Sequence, residues 1–79
     1  SSNRLNQLAI SQEGFIFDPE TGESYTTNEL GIFVIDELRQ GHSEEQITKK
    51  LAKHYEVTED QVAMDLTDFM MHLKTRRLF

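Results

Sequence analysis

The chain has 79 residues, a net charge of −6 and no cysteine. That length specifies one small domain, spanning residues 1–79, close to the size at which a core is only marginal, and neither disulfides nor a thiolate zinc site can supplement it. The acidic balance disfavours a phosphate backbone as partner and favours a protein or peptide. No stretch reaches membrane-spanning length and no signal peptide is visible, so a cytoplasmic location is expected.

Leu5 to Ser11 alternates weakly, with Leu8 and Ile10 on one face and Gln7 and Ala9 on the other, and reads as a first strand. Gln12-Glu13-Gly14 is a turn. Phe15-Ile16-Phe17 is aromatic and β-branched and suits a second strand. In Asp18-Pro19-Glu20-Thr21-Gly22, Pro19 presets φ, Asp18 can accept from the backbone ahead, and Gly22 can supply a positive φ. Glu23 to Thr27 then returns as a third strand centred on Tyr25.

A first helix is expected from a cap at Asn28 to a stop at Gly41. Its middle, Gly31 to Ile35, is apolar almost all round, which predicts a central helix packed on several sides. A second helix opens at Ser43, with Gln46 completing a capping box and Ile47, Leu51 and Tyr55 as its buried stripe. Glu45 is spaced to pair with Lys49. The third opens at Thr58 with Gln61 as a second box and a Val57–Val62 staple, and Val62, Leu66, Phe69 and Leu73 line one face.

Catalytic chemistry has no foothold in this pattern. His42, His54 and His72 are too widely spaced for a local ligand pair, and no zinc-protease helix motif occurs. Asp18-Pro19-Glu20 begins like a calcium loop, but Gly22 falls at the fifth position instead of the sixth. There is no phosphate-binding glycine loop and no nucleophile elbow. The expectation is therefore no catalytic residue, no metal site and no cofactor.

The run Asp18-Pro19-Glu20-Thr21-Gly22, then Tyr25, then Asn28-Glu29-Leu30-Gly31, then an apolar helix closing on Gly41, resembles the family of pyrroloquinoline quinone synthesis protein D. The likeness continues through Ser43-Glu44-Glu45-Gln46-Ile47, Leu51, Tyr55, Val62, Asp65, Phe69 and Leu73. Two positions depart from it. Thr27 stands where the family has an apolar residue, and Arg77 where it has glycine.

The resemblance implies an α+β, winged-helix-like fold: a three-stranded antiparallel sheet followed by three helices. It also implies a role as a recognition element for ribosomally made peptides. In that role the leader segment of a precursor peptide adds as a strand beside the third strand, against the third helix. A modifying enzyme, often a radical S-adenosylmethionine protein, then acts on the peptide.

The third strand is short, polar and free of proline, so its edge can accept a partner. Tyr25, Thr26 and Thr27 are the expected edge residues. Met64 and Met71, with Thr67 beside them, share a face of the third helix opposite its core stripe. Methionine suits adaptable binding surfaces, so these three are the expected opposite wall. Asp65 and Asp68 read as a solvated face, with pairing to basic residues of a leader peptide as the alternative, and they count against DNA binding by this helix. The alternative is a small regulatory winged-helix module docking on another protein. A free edge is compatible with a monomer or with a homodimer.

Overall fold

The computed structural model describes residues 2–79. Its elements run α1 (Ser2–Asn6), β1 (Ala9–Ile10), β2 (Phe15–Asp18), β3 (Glu23–Thr26), α2 (Glu29–Arg39), α3 (Glu44–Tyr55) and α4 (Glu59–Thr75). The three strands form one antiparallel sheet in the order β1-β2-β3. The fold is thus the expected α+β arrangement with one helix added at the front.

That added helix corrects the reading of Leu5 to Ser11 as a single strand. Leu5 and Leu8 lie three residues apart and are both buried. Tight-turn bonds from Gln7 N–H to Arg4 O (3.1 Å) and from Leu8 N–H to Leu5 O (3.2 Å) hold that spacing in a turn. Only Ala9 and Ile10 remain for the ladder, opposite Phe17 and Ile16. The inward and outward assignments of Leu8, Ile10, Gln7 and Ala9 hold nonetheless.

The β2–β3 hairpin forms for the reasons its sequence gives. Asp18 Oδ1 accepts from Glu20 N–H at 3.0 Å, Gly22 N–H donates to Asp18 O at 2.7 Å, and Gly22 has φ +79°. At the other end of the hairpin, Thr27 N–H donates to Gly14 O at 2.8 Å. Gly14 has φ +102°, and a Cβ there would lie 2.1 Å from the Thr27 carbonyl oxygen, so only glycine fits.

The helix boundaries follow the caps. The Asn28 side chain accepts from Gly31 N–H at 2.9 Å. At the far end of α2, His42 N–H bonds Glu37 O and Gly41 N–H bonds Leu38 O, the paired closure that a positive-φ glycine permits. Ser43 and Gln46 form the complete capping box. At Thr58 the structure holds half of one: the hydroxyl accepts from Gln61 N–H at 3.2 Å, and no reciprocal bond is present among the described residues.

The core departs from the expected packing at four places. Tyr55 is 53 % exposed because α3 ends on it and Glu56 turns left-handed at φ 55°; Ile47, Thr48, Leu51 and Ala52 are the buried residues of that helix. In α4, Met70 occupies the fully buried position, and Phe69 is only partly buried at its margin. α2 is not enclosed on all sides: Val34, Ile35 and Leu38 face inward while Leu30 and Phe33 are exposed. Val57, expected to staple onto buried Val62, is also exposed.

Two buried carboxylates lock the layers. Asp18 is almost completely buried and pairs with Arg4 at 2.8 Å. The same guanidinium holds Glu20 at 3.0 Å and donates to the Arg77 carbonyl at 3.2 Å, so one side chain ties α1, the hairpin turn and the residues after α4. Its hydrogen bond, aided by Glu20 N–H, holds the Asp18 carboxyl below the usual carboxylate range. Glu37 on α2 accepts from Lys50 at 2.7 Å and pairs with His42 at 2.8 Å. Lys50 is the main reason its carboxyl also sits low.

Candidate functional site

Among the described residues β3 pairs only with β2, so its other edge is open. The register decides which backbone groups face outward. Thr27 and Gly14 are a hydrogen-bonded pair, and the ladder runs Phe15–Thr26, Ile16–Tyr25, Phe17–Ser24. Hydrogen-bonded and non-bonded pairs alternate in an antiparallel ladder. Tyr25 therefore points its N–H and C=O at β2, whereas Ser24 and Thr26 point theirs at the open edge. The β1 side agrees, because Ser11 N–H donates to Phe15 O at 2.9 Å, turning Phe15 toward β1.

The side chains alternate in the other direction. Tyr25 lies opposite buried Ile16 and packs partly against the core. Ser24 and Thr26 lie opposite Phe17 and Phe15, all four on the exposed outer face.

Along the sheet and its open edge, facing α4, runs a groove of about 970 Å³. β3 contributes Ser24 to Thr26 to it, with Thr27 following, and α4 contributes Phe69, His72 and Leu73, with Arg76 just beyond its last turn. Its floor is apolar, from Ile10, Ile16, Ile35 and Leu78. The Arg76 guanidinium carbon lies 5.5 Å from the centre of the Tyr25 ring, and the Tyr25 hydroxyl donates to Glu23 at 2.7 Å. That bond is the main reason the phenol is raised above its usual pKa.

The structure divides the expected site residues into two sets. Tyr25, Thr26 and Thr27 line the groove. Met64, Thr67 and Met71 do not: Met64 is 75 % exposed, Met71 is 58 % exposed, and Thr67 is exposed beside them. At 3.6 residues per turn these three lie about 160–220° around α4 from Phe69, on its solvent side. The groove wall borders the core stripe instead of opposing it, because the sheet and α4 share one core. Phe69, His72, Leu73 and Arg76 are the residues that sequence reasoning missed. The available signal was Phe69 itself, an aromatic at the edge of the stripe, with His72 and Arg76 on its flank three and seven residues on.

A second concavity, of about 460 Å³, lies between α2, α3 and α4 and carries Asp65 and Asp68 on its lip. Among the described residues no cluster of His, Cys, Asp or Glu is placed to hold a metal ion. Among the described residues no helix is long and apolar enough to cross a membrane.

Comparison with solved structures finds the same architecture. A lasso peptide synthetase B1 complexed with the leader peptide superposes with a TM-score of 0.79 at 23 % identity, covering 89 % of this chain and 86 % of that one. TbiB1 in complex with the TbiA(beta) leader peptide gives 0.80 at 24 % identity, covering 90 % and 84 %. No curated protein sequence matches. The family model for coenzyme PQQ synthesis protein D matches residues 13–78, a span that holds all three helices after the sheet, the hairpin and both walls of the groove, and the chain belongs to that family.

Proposed function

We propose that this chain is a non-catalytic recognition domain for the leader segment of a ribosomally made precursor peptide. It captures the leader by strand addition along β3 and presents it, in the cytoplasm, to a modifying enzyme such as a radical S-adenosylmethionine protein. The observation that carries the reading is the coincidence of an open edge with a groove. The outward N–H and C=O groups of Ser24 and Thr26 stand over an apolar channel bounded by Phe69, His72 and Leu73. Backbone bonding would supply affinity, and the channel would select alternate side chains of the added strand. The two similar structures, each solved with a leader peptide, support this reading.

The test is an amide chemical-shift titration of the labelled domain with the leader segment of a precursor peptide encoded beside its gene. Shifts are expected on Ser24 to Thr27 and on Phe69, His72 and Arg76, while Met64 and Met71 stay still. Saturable binding with shifts confined to another face, or no shifts at all, would sink the proposal.

A further inference from the structure

Charge is unevenly distributed between the two concavities. The chain carries 14 Asp and Glu against 8 Lys and Arg, yet no Asp or Glu lines the groove beside β3, the Glu23 carboxylate that takes the Tyr25 hydroxyl lying just outside it. Its charged side chain is Arg76. The concavity between α2, α3 and α4 is the reverse, lined by Asp65 and Asp68 and by no Lys or Arg.

Arg76 is a cation that both lines the groove and has its charge left over. Arg4, Lys49 and Lys50 each hold a carboxylate, whereas none of the ion pairs among the described residues uses Arg76. Its guanidinium rests over the Tyr25 ring, and one Nη lies 3.4 Å from His72 Nδ1. Stacking on an aromatic face engages the π-surface of a guanidinium and leaves most of its five N–H donors free at the edge. Those donors suit a carboxylate, which they can hold in a bidentate pair.

Resting on the peptide-capture reading, we propose that Arg76 makes the groove selective for a strand with an acidic side chain at the level of Tyr25. Tyr25 sits between the two residues whose backbones face the open edge, so an inward side chain of an added strand passes beneath the guanidinium at that point. The neighbouring apolar positions of the strand face Phe69 and Leu73. Arg76 thus acts as a specificity residue in a domain whose overall charge would otherwise repel an acidic ligand. A purely structural role is the competing explanation, since Arg76 follows the C-terminal turn of α4, where a cation complements the helix dipole. That role would alter the melting temperature and leave peptide choice untouched.

The experiment is a selection of displayed random peptides on the immobilised full chain and on its Arg76→Gln and Arg76→Glu variants. Binders are mapped by amide shifts at Ser24 to Thr27, and melting temperatures are taken alongside. On the native chain, edge binders should be enriched in Asp or Glu at one inward position. Arg76→Gln should abolish that preference and weaken an acidic binder roughly tenfold. Arg76→Glu should transfer the enrichment to Lys or Arg at the same position, with the melting temperature little changed. Edge binders without acid enrichment, or enrichment that survives in Arg76→Gln, overturn the assignment of Arg76 and leave peptide capture standing. Failure to select any edge binder overturns both.

Discussion

The alternation along β3 makes a prediction that separates binding from folding within two adjacent residues. Thr26→Pro removes an N–H that faces the open edge, and Tyr25→Pro removes one that bonds β2. Proline is tolerated where the missing donor faces solvent, so Thr26→Pro should cost less than about 1 kcal/mol of stability. It should also cost a bound leader one backbone hydrogen bond, about 1 kcal/mol, and place the ring in the path of the added strand. Affinity should therefore fall at least about fivefold. Tyr25→Pro breaks a ladder bond, leaves its partner carbonyl unpaired and removes a half-buried ring. It should destabilise the domain by at least about 2 kcal/mol. Urea denaturation followed by circular dichroism reads the first quantity, and calorimetric titration with the leader peptide reads the second. Unchanged affinity in Thr26→Pro would refute strand addition at this edge. Equal destabilisation by the two prolines would refute the register on which the argument rests.

Other expectations follow from the turns and the buried carboxylates. Gly14→Ala should destabilise by more than about 2 kcal/mol because its methyl group would meet the Thr27 carbonyl, whereas Gly22→Ala, with open space around it, should cost about 1 kcal/mol for its positive φ alone. Urea midpoints of the two variants check the ranking. Asp18 titrates lower in the folded chain than in the unfolded one, so its stabilisation is complete above the ordinary carboxylate pKa of about 4 and is lost as pH falls toward its folded value. Arg4→Met should therefore lower the melting temperature at neutral pH, and the gap from the native chain should narrow as the solution is acidified. A gap that stays constant from neutral pH down to about pH 3 would show that Asp18 is not the group responsible.

Local chemistry was the legible part of this sequence. Asn28, Ser43, Thr58, Gly41 and the Asp18–Gly22 turn act within a few residues of themselves, and each sits where its side chain or missing Cβ requires. α1 was not legible, because a five-residue helix cannot hold itself together and owes its existence to Leu5 in the core and Arg4 on Asp18. Tyr55 continued a stripe on paper, but the backbone turned away just after it. The edge half of the candidate site, Tyr25 to Thr27, was placed by the family resemblance, since a short polar strand by itself reads equally as an idle solvent-facing edge. The helix half was not legible. Placing it required knowing which flank of the core stripe the sheet leaves open, and that is fixed by how the layers meet.

The pleat of β3 has a consequence for any chain laid beside it. Tyr25 turns toward the core, while Ser24 and Thr26 turn outward next to Phe15 and Phe17, which remain largely exposed. A strand added to this edge must obey the same two-residue rhythm. Half of its side chains are then enclosed by the domain, and the other half stand uncovered beside Ser24 and Thr26, one strand over from the two phenylalanines. One segment can in this way answer to two readers through separate letters: the domain that grips it, and whichever protein next approaches that outer face. A substitution at a single ligand position would disturb one of those conversations and leave the other intact.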